Sequence, residues 1–107
     1  MYKIIKIELS PRKNKRFRVT LNNGDHFDFG LLGSSSYLEH KNVIKRSNYF
    51  KRHYANGREK ELIDNLIPSP SLMSLYILWG PYTNIDKNIK FLNNLWKNKN
   101  KISYNNE

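Results

Sequence analysis

The stretch "SPSLMSLYILWGP" (69–81) limits the fold of this chain more than any other segment. Ser69 fits a helix N-cap, Pro70 fits the first helical position, and Gly80-Pro81 ends the helix. Between them apolar side chains point nearly all the way round the axis. A helix of that kind is stable only when other structure surrounds it. In a chain of 107 residues, 70–79 therefore belongs at the centre, and the remaining elements must cover it. One compact domain is expected at this length. It spans 1–98, with a polar tail at 99–107. A chain of this size buries roughly 65% of its unfolded surface, enough for one core without staples. There is no cysteine, which excludes disulfides and thiolate metal sites.

The cover begins with strands. In "YKIIKIELS" Ile5, Ile7 and Leu9 alternate with Ile4, Lys6 and Glu8, the pattern of a half-buried strand. Ser10-Pro11 breaks it. "FRVTL" (17–21) sets Phe17, Val19 and Leu21 on one face, and "HFDFG" (26–30) returns with Phe27 and Phe29 inward. Between them Asn23-Gly24 is a strong hairpin signal. The prediction is a three-stranded antiparallel meander, which needs an apolar layer over it.

"GLLGSSS" (30–36) is an irregular joint, after which the period becomes helical. Over 42–55, Val43, Phe50 and Tyr54 share an inward stripe with Ile44 on its flank, while Lys45 and Arg52 face away. Arg46 and His53 sit at the edge of the stripe. Asn56-Gly57 is placed to end this helix. "REKELIDNLI" (58–67) reads as a short, mostly exposed helix or turn. The last helix, 84–98, opens with Thr83 and Asp86 in capping-box spacing and carries Ile85, Ile89, Leu92, Leu95 and Trp96 on one stripe. The fold class is α+β: an N-terminal meander covered by three to four helices around 70–79.

Charge is the main functional signal. Nineteen Lys and Arg oppose nine Asp and Glu, for a net charge of +10. Such a chain attracts nucleic acid, anionic headgroups or acidic proteins. Lys, Asn, Ile and Tyr also have A/T-rich codons, so genome composition is a second source of the charge. "MYKIIKIELS" is too short and too charged for a signal peptide, and no apolar run approaches the ~18 residues of a membrane span. The expectation is a protein that is neither secreted nor bound to membrane.

Two basic clusters stand out. "RKNKRFR" (12–18) contributes Arg12, Lys13, Lys15 and Arg16 on a turn. The 41–60 stretch contributes Lys45, Arg46, Lys51, Arg52, His53, Arg58 and Lys60. If continuous in space, they form the footprint of a phosphate-binding surface. Arg46 and His53 also fit a structural role, packing on aromatics and bonding to carboxylates or helix-end carbonyls.

Motifs for catalysis are weak. "FDFG" (27–30) contains Asp-Phe-Gly, but a kinase needs far more chain, so it reads as a strand ending in glycine. His26, His40 and His53 with Asp25, Asp28 and Glu39 match no metal-ligand spacing. A metal-dependent nuclease using His40, Asn42 and His53 is the weakest reading. No phosphate loop is present, and no catalytic residue, cofactor or metal is expected.

Phe29-Gly30, Tyr37, His40, Tyr49, Arg52-His53, Ser74 and Leu78-Trp79-Gly80 form a spaced pattern. Over about 15–96 it resembles a small uncharacterised domain family of giant viruses, the nucleocytoplasmic large DNA viruses. Asn42 stands where that pattern has an Asp after the His, and "DNLIPSPS" lacks the Trp and Gly of relatives. The resemblance implies a viral setting, in the virion or the viral factory of the host cell, and no established activity. Together these features point to a small, non-enzymatic, basic viral accessory protein. It is expected to bind nucleic acid, DNA ahead of RNA, through backbone phosphates without strong sequence preference. The alternative is a virion structural or adaptor protein docking on acidic viral proteins.

Overall fold

The computed structural model describes the backbone of residues 1–105 and the side chains of residues 1–99. Three strands, β1 (Ile4–Leu9), β2 (Lys15–Leu21) and β3 (His26–Leu31), form an antiparallel sheet in the order β1-β2-β3. Phe17 pairs with Phe29 and Val19 with Phe27, so the inner faces of β2 and β3 are those the alternation predicts. Val19, Leu21 and Phe29 are fully buried. Gly24 takes the left-handed conformation (φ 92°) that the Asn-Gly turn requires.

β1 departs from simple alternation. Ile4 pairs with Leu21 and Lys6 with Thr20, so Ile5 is the extra residue of a bulge. The bulge turns Ile4 into the core, 4% exposed, and leaves Ile5 61% exposed. The expected inward set Ile5, Ile7 and Leu9 is therefore corrected to Ile4 and Ile7. Leu9 keeps the inner register opposite Phe17, but its 78% exposure places it past the cover of any helix.

On the outer face Arg18 grips Asp28 with two bonds of 3.0 and 3.1 Å, and the Ser10 hydroxyl donates to the same carboxylate at 2.7 Å. The Arg18 bond is the main reason why the Asp28 carboxyl falls from its ordinary 3.8 to about 2.

Helices follow the sheet: α1 (Tyr37–His40), α2 (Val43–Tyr54), α3 (Gly57–Asp64), α4 (Pro70–Met73) and α5 (Ile85–Asn105). α4 runs on into a π-helical turn over Ser74–Leu78. Ser69 caps α4, accepting from the Leu72 N–H at 3.1 Å. Leu72, Met73, Leu75, Ile77 and Leu78 are buried, so the central helix lies where its sequence demands, packed among β3, α3 and α5.

Three local expectations change. Asn56-Gly57 opens α3 and does not close α2. The Asn56 side chain accepts from the Arg58 and Glu59 N–H groups, and Asn56 is extended at φ −88°. Asparagine caps a helix start as well as an end, and here it satisfies the N–H donors of the first turn. α5 is capped by Asn84, which accepts from the Lys87 N–H at 3.0 Å, and not by Thr83. In α2 the buried side chain is Tyr49; Phe50 and Tyr54 are half-buried, and Val43 and Ile44 are 65% and 69% exposed. The helix docks through its second half, and its first turn projects free.

Two asparagines close the fold. Asn93 on α5 accepts from the Ile4 N–H at 2.8 Å and donates back to the Ile4 carbonyl. Asn88, fully buried, donates to the carbonyls of Ile77 and Tyr82 and accepts from the Tyr82 N–H. All of its polar atoms are paired, as burial demands. The backbone of α5 continues into the segment read as a polar tail, whose side chains from residue 100 on lie outside the described residues.

Candidate functional site

α2 meets the central helix through one face. Lys45, Tyr49 and Arg52 stand at i, i+4 and i+7, which puts them in one row. Tyr49 stacks flat on Trp79, with centroids 4.2 Å apart and planes at 7°. Its hydroxyl bonds to the Ser74 hydroxyl at 2.8 Å, and burial pushes its phenol pKa up. His40 packs on Trp79 at 5.1 Å, and His53 on Tyr49 at 4.2 Å. The four rings form a row: His40, Trp79, Tyr49, His53.

The π turn belongs to this arrangement. The Trp79 N–H reaches back five residues to the Ser74 carbonyl at 3.2 Å, and single π turns concentrate at functional sites. Two glycines make the close approaches possible. At Gly30 (φ 80°) a Cβ would lie 2.9 Å from Leu78 and 3.2 Å from the Arg16 Cβ; at Gly80 it would lie 2.0 Å from the Tyr76 carbonyl oxygen. A side chain at Gly80 would collide with backbone, and at Gly30 it would be strained by the positive φ and would displace Leu78.

Between β2–β3, the 34–36 loop, α2 and the π turn lies a cleft of about 380 Å³. Its cations are Arg16, Lys45 and Arg52, and among the described residues no carboxylate lines it. Arg16 is held in place by Glu39 at 2.8 Å and by the Ser36 hydroxyl at 3.4 Å. Lys45 and Arg52 are exposed and have no carboxylate partner among the described residues. The Arg52 guanidinium rests over the Tyr49 ring at 5.6 Å. Ser34 and Ser35 are exposed at the rim, while the Ser36 hydroxyl is buried and donates to Glu39 at 2.8 Å.

His40 also lines the cleft. Its Nδ1 accepts from the Asn42 N–H at 2.9 Å, so the neutral ring carries its proton on Nε2. That nitrogen is buried and has no partner.

The other predicted contacts lie elsewhere. Arg46 turns inward. Its Nε donates to the carbonyls of Trp79 (3.0 Å) and Gly80 (3.1 Å), and its guanidinium lies over Phe50 and Tyr37. It caps the end of the π turn, where a cation is favoured. His53 bonds through Nδ1 to Glu59 at 2.9 Å, and Glu59 also accepts from the Ser71 hydroxyl. Arg12 and Lys13 are exposed at the β1–β2 turn, Lys15 is half-buried, and Lys51 and Arg58 are exposed. Lys60 pairs with Asp64 at 2.6 Å. His40 and His53 stand at opposite ends of the four-ring row, so one cation cannot bridge them. Among the described residues no group of three His, Cys, Asp or Glu side chains is placed to hold a metal ion, and no helix is long and apolar enough to cross a membrane.

The spaced pattern of the sequence acquires a location here. Gly30, His40, Tyr49, Arg52, Ser74, Leu78 and Trp79 all line the cleft, while Tyr37 and Gly80 serve Arg46 and the turn behind it. The serine run at 34–36 is what sequence reasoning missed as a site element. Its only signal was its position between glycines and the first histidine of the pattern.

No curated protein and no solved structure matches the chain. A family of unknown function (DUF5754) matches residues 5–53, from the first strand to His53 near the end of α2, which takes in every lining residue of the cleft except Ser74, Leu78 and Trp79.

Proposed function

We propose that this chain binds nucleic acid through phosphate oxygens, with the cleft as its principal grip, and catalyses no reaction. The observation that carries the reading is a cleft lined by Arg16, Lys45 and Arg52 and, among the described residues, by no carboxylate. Guanidinium and ammonium groups beside hydroxyl donors are the usual partners of phosphate. Tyr49 and Trp79 each give one face to their mutual stack, and His53 and His40 pack against them at a tilt, which limits the room for base stacking and favours binding without strong sequence preference. Arg12, Lys13, Lys15, Lys51, Arg58 and Lys60 supply weaker surrounding field. The setting proposed is that of a viral accessory protein, in the virion or viral factory. It rests on the resemblance of the Gly30-to-Gly80 pattern.

The test is equilibrium binding to labelled duplex and single-stranded DNA and RNA across a salt series. Binding is expected to weaken steeply with salt, with Lys45 and Arg52 together contributing about −1.8 to the log–log slope on duplex. The double variant Lys45→Gln/Arg52→Gln should lose that share, and Lys90→Gln, on α5, should not. Binding that is absent at low salt, or indifferent to salt, would remove the reading.

A second reading is favoured by a separate observation. Leu31, Leu32, Val43 and Ile44 are each more than 60% exposed, and Leu31 lines the cleft. Exposed aliphatics beside unpaired cations suit docking on an acidic viral protein. Co-purification with capsid or core proteins after nuclease treatment would support it.

A further inference from the structure

We infer that the cleft prefers a phosphate monoester dianion, the group found at a phosphorylated nucleic-acid end, over a diester from the middle of a strand. This rests on the phosphate reading above and names the form of phosphate.

Charge matching is the first reason. Lys45 and Arg52 are uncompensated, and the Arg16 charge is met by Glu39. The cleft therefore presents two net positive charges. A diester carries one negative charge, whereas a monoester carries about −1.5 to −2 at neutral pH.

Donor number is the second. A monoester has three strong acceptor oxygens, against two free oxygens on a diester. The Arg52 fork and the Lys45 ammonium supply donors from α2, and Ser34 and Ser35 add hydroxyls from the loop that lines the same cleft.

Construction is the third. Arg16 is oriented by Glu39 and Ser36, Arg52 is steadied by the Tyr49 ring, and Tyr49 is fixed by Trp79 and Ser74. The volume of about 380 Å³ lies at the lower end of small-ligand clefts, roughly 300–1,000 Å³. Such a cleft accommodates a phosphate with part of its sugar.

The same chemistry has two sources, a nucleic-acid terminus or a free phosphorylated metabolite, and the arms of the experiment separate them. Short oligonucleotides of one sequence, with a 5′-phosphate, a 3′-phosphate or only hydroxyl ends, would be compared by competition at fixed salt. A phosphorylated end is expected to bind roughly tenfold tighter, the size of one charge-assisted hydrogen bond. Lys45→Gln and Arg52→Gln should each erase the preference, and Lys90→Gln should keep it. Equal affinity for phosphate and hydroxyl ends would overturn the inference, as would a preference that survives the double variant. If no oligonucleotide binds, the nucleic-acid reading fails, and inorganic phosphate decides the site alone. Saturable shifts of the Trp79 indole and His40 imidazole resonances would then support a site for a free monoester. The absence of such shifts would overturn it.

Discussion

Replacing Arg46 by methionine keeps most of its stem and removes its charge and its Nε–H. In the wild type that single N–H is shared between the Trp79 and Gly80 carbonyls at 3.0 and 3.1 Å. A hydrogen bond from a charged donor contributes about 1.5–3 kcal/mol. The guanidinium also lies 4.7 Å from the Phe50 centroid and 5.5 Å from that of Tyr37, and each such contact adds about 0.5–1 kcal/mol at a partly exposed site. Methionine recovers some packing on the two rings. The net loss expected for Arg46→Met is about 2–4 kcal/mol, which lowers Tm by roughly 10–20 °C in a domain of this size. Urea unfolding followed by circular dichroism measures it, with Arg52→Met in parallel. Arg52 makes no hydrogen bond or ion pair among the described residues, only its contact with Tyr49, so its replacement should cost less than about 1 kcal/mol. If Arg46→Met unfolds within about 0.5 kcal/mol of wild type, Arg46 does not cap the turn and the assignment of its charge to structure is wrong.

Gly80→Ala should prevent folding or cost several kcal/mol, because its Cβ would meet the Tyr76 carbonyl at 2.0 Å; loss of the cooperative unfolding transition checks this. The β1 bulge predicts opposite fates for neighbours: Ile4→Ala should cost about 2–4 kcal/mol and Ile5→Ala less than about 0.5 kcal/mol, by chemical denaturation. Asp28, held at about 2 in the fold, contributes stability that is complete above its ordinary 3.8 and lost as pH falls through 2. With Arg18 partly solvated, this amounts to on the order of 1 kcal/mol. Unfolding free energies from pH 5 to 2 should show this loss in the wild type and not in Asp28→Asn.

Much of the fold was legible in short-range patterns. β2, β3 and the Asn-Gly turn follow from alternation and turn chemistry. The central helix follows from an apolar surface that has to be covered, bounded by Ser69 and Gly80. What escaped was set by non-local or ambiguous chemistry. The Ile5 bulge depends on how β1 registers against β2, which alternation cannot carry. Asn56-Gly57 is competent both to stop a helix and to start one, and the choice fell to the Arg58 and Glu59 N–H groups. Tyr49 lies off the stripe of Val43, Phe50 and Tyr54, and its burial depends on Trp79, thirty residues on, which stacks on its ring. The site divides in the same way. Lys45 and Arg52 were visible as cations, and their row with Tyr49 follows from helical spacing. That Arg46 turns into the fold depends on two carbonyls of the π turn. The convergence of Arg16, the serine loop and His40 on the same cleft is a property of the folded chain alone.

The most direct test of the cleft as the phosphate grip is a titration of the isotope-labelled chain with a short duplex, followed by amide, indole and imidazole resonances. The account predicts the largest shifts at Ser34–Ser36, Lys45, Arg52, the His40 ring and the Trp79 indole. Shifts confined to the exposed turn at Arg12 and Lys13, with the cleft resonances unmoved, would contradict it.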